Sequence, residues 1–477
     1  MSRRVGSIAI VVSALAVPVL AAVPPAAAVR PPAVDDSLLP RAASPAPPEP
    51  TAKQAECIAT TFDPHVNPSG TQLSGIDLPA LWALSTGKGQ KVAVIDTGVA
   101  PHPQIPRLTP GGDYVAVGDG TEDCDGHGTL VAGIIAATPV PNADPDFAGL
   151  APGVSLITIR QSSDRYGPVR GRASGVGNVD TMAMAVRTAA DLGATVINIS
   201  SVACDVSSAI HDRALGAALA YAVDVKDVVV VAAAGNVGRN HQCPQQNPSP
   251  PSSHPNEPDW ENANIVASPG WYDDYVLTVG SVGIDGNASA FTFAGPWVDV
   301  AAPGEAVVSL DPASVGIVNT RRSNAGAPLM GTSYAAPVVS GLAALVRARF
   351  PELSARQVMQ RIEATAHRPP GGWNSFVGNG AVDPLAALTD VPVVHAVIAP
   401  SATQQPVAPP TQAPAGESAG RRTALSGVAG CGVMLVAAMA LAGPARRLGG
   451  HRRRDSIMGN QRGRPAEFRP VGQELHE

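Results

Sequence analysis

Aromatic side chains fill only 4% of this 477-residue sequence and charged ones 15%. Neither sign of charge dominates: 33 Lys and Arg stand against 39 Asp and Glu, a formal net charge of −6. Without a cationic field the chain is excluded as a general binder of nucleic acid or other polyanions. Cysteine is rarer still, at five, and no Cys-x-x-Cys pair suggests a zinc site. No internal repeat is present. What is plentiful is Gly, with 48 residues, and Pro, with 47, which together require many turns and linkers. The hydrophobic share of 45% is enough for a large core, but it is clumped, and two of the clumps lie at the chain ends.

Those ends concern targeting. Arg3 and Arg4 precede an apolar run from Val5 to Ala22, and Ala26-Ala27-Ala28 then offers small residues to a processing peptidase. This pattern predicts a secretory signal, residues 1–28, cleaved after Ala28, with an uncleaved anchor as the alternative. No Cys follows the run before Cys57, which speaks against a lipid-modified N-terminus. Near the other end, residues 423–443 carry no charge, about the ~20 residues that span a ~30 Å hydrocarbon layer as a helix. Arg421 and Arg422 sit before this stretch, and Arg446, Arg447, Arg452, Arg453 and Arg454 after it. The bias predicts a cytoplasmic basic tail, residues 444–477, and a domain on the outside. Four of the cysteines, Cys57, Cys124, Cys204 and Cys243, then lie in the exported part, an even number that suggests two disulfides of open connectivity.

Between the ends, residues 29–54 form a Pro- and Ala-rich arm whose composition predicts extended, mobile chain. Residues 55–390 alternate short β-rich runs with longer apolar-periodic segments, the pattern of an α/β domain with a mainly parallel sheet covered by helices. The expected strands are Lys91–Ile95, Leu156–Ile159, Thr195–Ile199, Val228–Ala232 and Val276–Val279. The expected helices are Gly128–Ala136, Val179–Leu192, Ser208–Val225, Ser333–Arg349 and Ser354–Ala366, the last capped by Ser354. Val237–Pro258 reads as one long surface loop. Residues 391–422, rich in Pro, Ala and Gln, read as a stalk that could hold the domain up to roughly 90 Å from a membrane at ~3.1 Å per residue.

Three segments place a reactive residue beside glycines at the end of a regular element. In Val92-Ala93-Val94-Ile95-Asp96-Thr97-Gly98 a buried strand ends in a carboxylate at the sheet edge where α/β sites form; alone, Asp96 reads equally as a turn former or helix cap. In Asp125-Gly126-His127-Gly128-Thr129 a glycine-flanked His opens an apolar helix. In Gly331-Thr332-Ser333-Tyr334-Ala335-Ala336-Pro337 a Ser begins a long helix, where the dipole and free N–H groups can face a developing oxyanion. A plain N-cap serine is the alternative. The order of His before Ser, and Gly-x-Ser-x-Ala in place of Gly-x-Ser-x-Gly, disfavours an α/β-hydrolase.

Together, and in this order, the three segments resemble those of the subtilisin-like serine proteases over about residues 80–387. The resemblance implies the three-layer subtilisin-like fold and a triad in which Ser333 is the nucleophile, His127 its base and Asp96 the orienter of His127. Asn236, after Gly235 at a strand end, would aim its amide at the oxyanion beside the Ser333 N–H. Ser200, Ser201, Val202 and Gly235 would wall the substrate cleft. Relatives often carry Gly where this chain has Val202, so a crowded wall and a selective enzyme are expected. No cofactor is implied, and Asp144, Asp146, Asp273, Asp274 and Asp285 are expected to be solvated loop carboxylates without the spacing of a calcium cage.

The plan of signal, arm, protease domain, stalk, single span and basic tail resembles that of the mycosins, membrane-anchored proteases of type VII secretion systems. That resemblance implies Cys57–Cys124 and Cys204–Cys243 disulfides, protein substrates, and partners among the membrane components of a secretion complex; the arm, too short and Pro-rich for an inhibitory prodomain and held by a disulfide, is expected to pack around the domain without inhibiting it. Selective processing of exported proteins is the expected function. A structural subunit with dispensable catalysis is the alternative, and a general degradative surface protease is disfavoured by the wall and the tether.

Overall fold

The computed structural model describes residues 29–66, 71–141, 147–170, 175–238, 243–321, 328–389 and 469–470. The signal, stalk, span and nearly all of the tail expected above therefore lie outside the described residues, as do Asp144 and Asp146. The chain divides into one compact unit, residues 1–393 with 464–477, and a second, 394–463, itself outside the described residues.

Seven strands build the central sheet: β1 (Lys91–Asp96), β2 (Leu108–Asp113), β3 (Ser155–Arg160), β4 (Val196–Ile199), β5 (Val229–Ala233), β6 (Leu277–Val282) and β7 (Val300–Pro303). All pair in parallel, in the order β7-β6-β5-β4-β1-β3-β2. Nearly every position of β1, β4 and β5 is buried, as both-face coverage of a parallel sheet requires. The register sets Ile95 opposite Ile199, and Ile199 opposite Ala232. The C-terminal ends of β1, β4 and β5 thus come out side by side, and they carry Asp96, Ser200 and Asn236.

The expected strands are found within one to three residues at each end, and the sheet has two more. β2 reads Leu-Thr-Pro-Gly-Gly-Asp, a turn-like string that is tolerated because the strand lies at the edge, pairs only with β3 and is irregular between Pro110 and Asp113. β7 closes the opposite edge.

Seven α-helices are described: α1 (Leu78–Leu84), α2 (His127–Ala136), α3 (Val179–Asp191), α4 (Arg213–Ala220), α5 (Thr332–Arg349), α6 (Ala355–Thr365) and α7 (Pro384–Leu388). α2 and α5 pack on each other and on the sheet, and α3 pairs with α4. Every residue of α5 from Thr332 to Val346 is buried, which its run of Ala, Ser, Gly and Val permits by close approach. Ser354 caps α6 as expected, in a reciprocal box with Gln357. The helix expected from Ser208 begins instead at Arg213, because Ser207–Ala209 forms a separate 3₁₀ turn.

The arm is not mobile as its composition alone predicts. It lies along the domain: Val29 N–H donates to the Trp260 carbonyl at 2.8 Å, Asp35 pairs with Arg213 at 3.2 Å, and Arg187 reaches the Pro40 carbonyl at 3.3 Å. Thr51–Lys53 then adds antiparallel to Tyr166–Pro168. A Pro- and Ala-rich segment has little core of its own, yet it loses little side-chain entropy when another surface supplies its hydrogen bonds. The long loop is likewise stitched down where it is described, with Asn247 bonding the Ile265 and Ala294 carbonyls at 3.0 Å each.

Candidate active site

β1 delivers Asp96 to the sheet edge, and α2 begins with His127 directly beside it. The His127 Nδ1–H donates to Asp96 Oδ1 at 2.7 Å, and the Thr97 N–H donates to the same oxygen at 2.7 Å. The second glycine of the Gly-His-Gly segment has a steric reason. A Cβ on Gly128 would fall 2.0 Å from the Gly98 carbonyl oxygen and 3.1 Å from Asp96 Cβ, so only glycine lets the two segments close on each other. Gly126 turns the chain into α2 with φ +75°.

A residue the sequence did not single out ties the two segments together. Asp123 accepts from the Gly126 N–H at 2.8 Å, the Thr129 N–H at 2.8 Å, the Thr129 hydroxyl at 2.6 Å and the Thr97 hydroxyl at 2.8 Å. It thereby caps α2 while holding the residue next to Asp96. Burial pushes its carboxyl up to about 7, against the pull of the Thr129 and Thr97 bonds. The only signal in the sequence is an acidic residue just upstream of a helix start.

α5 brings its first turn to the same place, with the Tyr334 ring 5.3 Å from the His127 ring. Ser333 is the second residue of that helix and Asn236 follows β5, so four of the expected residues gather at one edge. The Asn236 orientation is fixed by two donors on one atom: the Thr332 N–H at 3.1 Å and the Thr332 hydroxyl at 3.0 Å both reach Oδ1. Two donors identify that atom as the oxygen and make the other end the donating NH₂ group. The Gly235 N–H closes the cluster on the Thr332 hydroxyl at 3.2 Å.

The expected cleft wall divides in two. Ser200 turns inward, its hydroxyl donating to the Ser333 carbonyl at 2.9 Å. Ser201 and Val202 open a separate strand, Ser201–Val206, that leaves the central sheet and pairs antiparallel with Ile265–Ser268. Arg469–Pro470 pairs antiparallel with Val202 and Ser201. Behind this wall lies the Cys204–Cys243 disulfide, and Cys57–Cys124 ties the chain just after the arm to the segment preceding His127. Among the described residues no group of three or more His, Cys, Asp or Glu is placed to hold a metal ion.

Known proteins resemble this chain in sequence and in fold. A profile of the Subtilase family, Peptidase_S8, matches residues 87–380. The chain is 55% identical over 422 residues to Mycosin-4 of Mycobacterium tuberculosis (strain ATCC 25618 / H37Rv), covering 87% of this chain and 90% of that relative. The solved structure of the MycP3 protease from the type VII (ESX-3) secretion system matches with a TM-score of 0.70 and 44% identity, over 76% of this chain and 100% of that one. A chain in an intact ESX-5 inner membrane complex matches with a TM-score of 0.71 and 42% identity, over 87% of this chain and 100% of its own.

Proposed function

The chain belongs to the subtilase family and, within it, to the mycosins, and on that premise we propose that this serine protease works through Asp96, His127 and Ser333. The observation that carries the reading is the 2.7 Å bond from His127 to Asp96 beside the first turn of α5. Asp96 holds the proton on Nδ1, which makes Nε2 the basic nitrogen. Nε2 takes the Ser333 hydroxyl proton as Oγ attacks the scissile carbonyl, and Asp96 stabilises the imidazolium that forms. The oxyanion of the tetrahedral intermediate is held by the Asn236 NH₂ group and the Ser333 N–H, both oriented before substrate arrives. Imidazolium then protonates the leaving amine, and water repeats the sequence on the acyl-enzyme.

The substrate backbone lies along Ser201–Val202 as an added antiparallel strand. Support comes from Arg469–Pro470, which occupies that edge in the same sense. A membrane span before residue 444 would instead carry this pair to the far side and leave the edge to another extended segment. The substrates are exported proteins, processed outside the cytoplasmic membrane as part of a type VII secretion system. Signal 1–28, stalk 391–422, span 423–443 and tail 444–477 give the chain that placement. A second reading, a structural subunit of the secretion complex, is favoured by the likeness to a chain of the ESX-5 inner membrane complex, which extends over 87% of this chain.

Fluorophosphonate labelling of the full-length chain in membranes tests the chemistry. The label is expected on Ser333 and is expected to vanish in Ser333→Ala and His127→Ala. A folded wild-type chain that takes no label would overturn the reading and leave the structural role.

A further inference from the structure

Two buried polar side chains at the end of β4 have no part in the chemistry above. Asn198 and Ser200 interrupt the apolar run Val196-Ile197-Asn198-Ile199-Ser200, and at a spacing of two they share one face. Both are 0% exposed, and buried polar groups persist where partners satisfy them. Their partners are on α5. The Ser200 hydroxyl donates to the Ser333 carbonyl at 2.9 Å, the Asn198 NH₂ group donates to Ser200 Oγ at 2.9 Å, and the Ser340 hydroxyl donates to Asn198 Oδ1 at 2.8 Å.

The Ser333 carbonyl takes a side-chain donor for a reason four residues further on. In a regular helix it would accept from the N–H of residue 337. That residue is Pro337, inside α5, which has no N–H and whose ring crowds the carbonyl four residues back. The gap falls in the first turn, where backbone orientation decides where Ser333 Oγ and the Ser333 N–H point. Ser340 lies seven positions after Ser333, about two turns on and so on the same face of the helix. The three bonds therefore splint α5 to β4 on both sides of the proline.

We propose that Ser200 is a positioning residue: its hydroxyl replaces the N–H that Pro337 lacks and, with Asn198 and Ser340 behind it, fixes the Ser333 backbone in the attacking orientation. This rests on the reading of Ser333 as nucleophile. Ser200 then acts behind the nucleophile, and its loss lowers kcat while leaving KM almost unchanged.

The proline supplies the test. Ser200→Ala in the full-length chain is expected to slow fluorophosphonate labelling of Ser333 and peptide turnover about 10- to 100-fold, the scale of a small misplacement, with KM within about twofold. Pro337→Ala restores a backbone N–H to the same carbonyl, so the Ser200→Ala/Pro337→Ala chain is expected to recover most of the lost rate. Thermal melting of each variant separates misplacement from unfolding. A Ser200→Ala chain that labels at the wild-type rate, a loss confined to KM, or a folded double variant as slow as Ser200→Ala would each overturn the proposal. Failure of the wild-type chain to label would overturn the nucleophile reading itself.

Discussion

A Cβ built on Gly235 would lie 2.8 Å from Cys243 Sγ, 3.4 Å from Val202 Cγ2 and 3.5 Å from Cys204 Sγ. Val202, Gly235 and the Cys204–Cys243 bridge therefore form a wall without slack beside Asn236. Val202 is itself fully buried, and if it walls the cleft as proposed, a glycine in its place would leave the space of its isopropyl group to the substrate. Val202→Gly is expected to raise kcat/KM for peptides with Leu or Phe before the scissile bond, relative to Ala, by about tenfold or more, given ~1–3 kcal/mol per methylene-sized change in a pocket. The same change should cost about 2–3 kcal/mol of stability through the lost side chain. A set of peptides differing only at that position measures the ratio, and an unchanged ratio would place the specificity wall elsewhere. The residue scale also explains why the disulfide sits where it does. The Cys243 N–H donates to the Asn236 carbonyl at 3.2 Å, so the bridge braces the backbone of the residue proposed to meet the oxyanion.

Among the elements, the arm makes the clearest prediction, because the contacts described for it lie on other parts of the domain. It touches Trp260, Arg213, Arg187 and the Tyr166–Pro168 strand, none of which lines Ser201–Val202 or borders Ser333. Removing residues 29–54 is expected to leave the labelling rate of Ser333 within about twofold while lowering the melting temperature by a few degrees, the scale of ~1 kcal/mol in a large domain. A strong rise in labelling would instead make the arm an inhibitor. How far such elements can be read in advance depends on where their stability comes from. β1 and β5 are legible because strands covered on both faces are continuous aliphatic runs. β2 is not, since Pro110, Gly111 and Gly112 carry a turn signal and only the edge position admits them as strand. The departure of Ser201–Val206 from the sheet is also hidden, because it continues β4 without a break in composition. The site divides in the same way. Asp96, His127, Asn236 and Ser333 stand out through glycines and element ends. Asp123, Thr97, Thr332 and Ser340 do not, because their roles arise from partners that only the fold brings near: Thr332 meets Asn236 across 96 positions of sequence and Ser340 meets Asn198 across 142.

For the whole molecule the question is whether the protease domain or the proposed tether would carry the proposed role in secretion. The proposed site needs nothing beyond residues 55–390, yet the sequence continues through a Pro-rich segment, a charge-free stretch long enough to span a bilayer and an Arg-rich segment. None of these enters the catalysis derived above, and under the proposed reading their use would be placement or assembly. If residues 391–422 act as the proposed stalk, ~3.1 Å per residue would allow the domain to work up to roughly 90 Å from a membrane anchor. Such tethering would also convert encounter with a neighbouring membrane component into an intramolecular event and raise its effective concentration. Two variants separate the contributions. Ser333→Ala in the full-length chain is expected to abolish processing while leaving the membrane complex intact on native gels, because it removes one oxygen and no surface. A chain ending at residue 390 is expected to keep its fluorophosphonate reactivity and lose the complex. If the Ser333→Ala chain also loses the complex, assembly depends on a cleavage event; if the chain ending at residue 390 retains it, the assembly surface lies on the folded domain and the span serves only to hold it near.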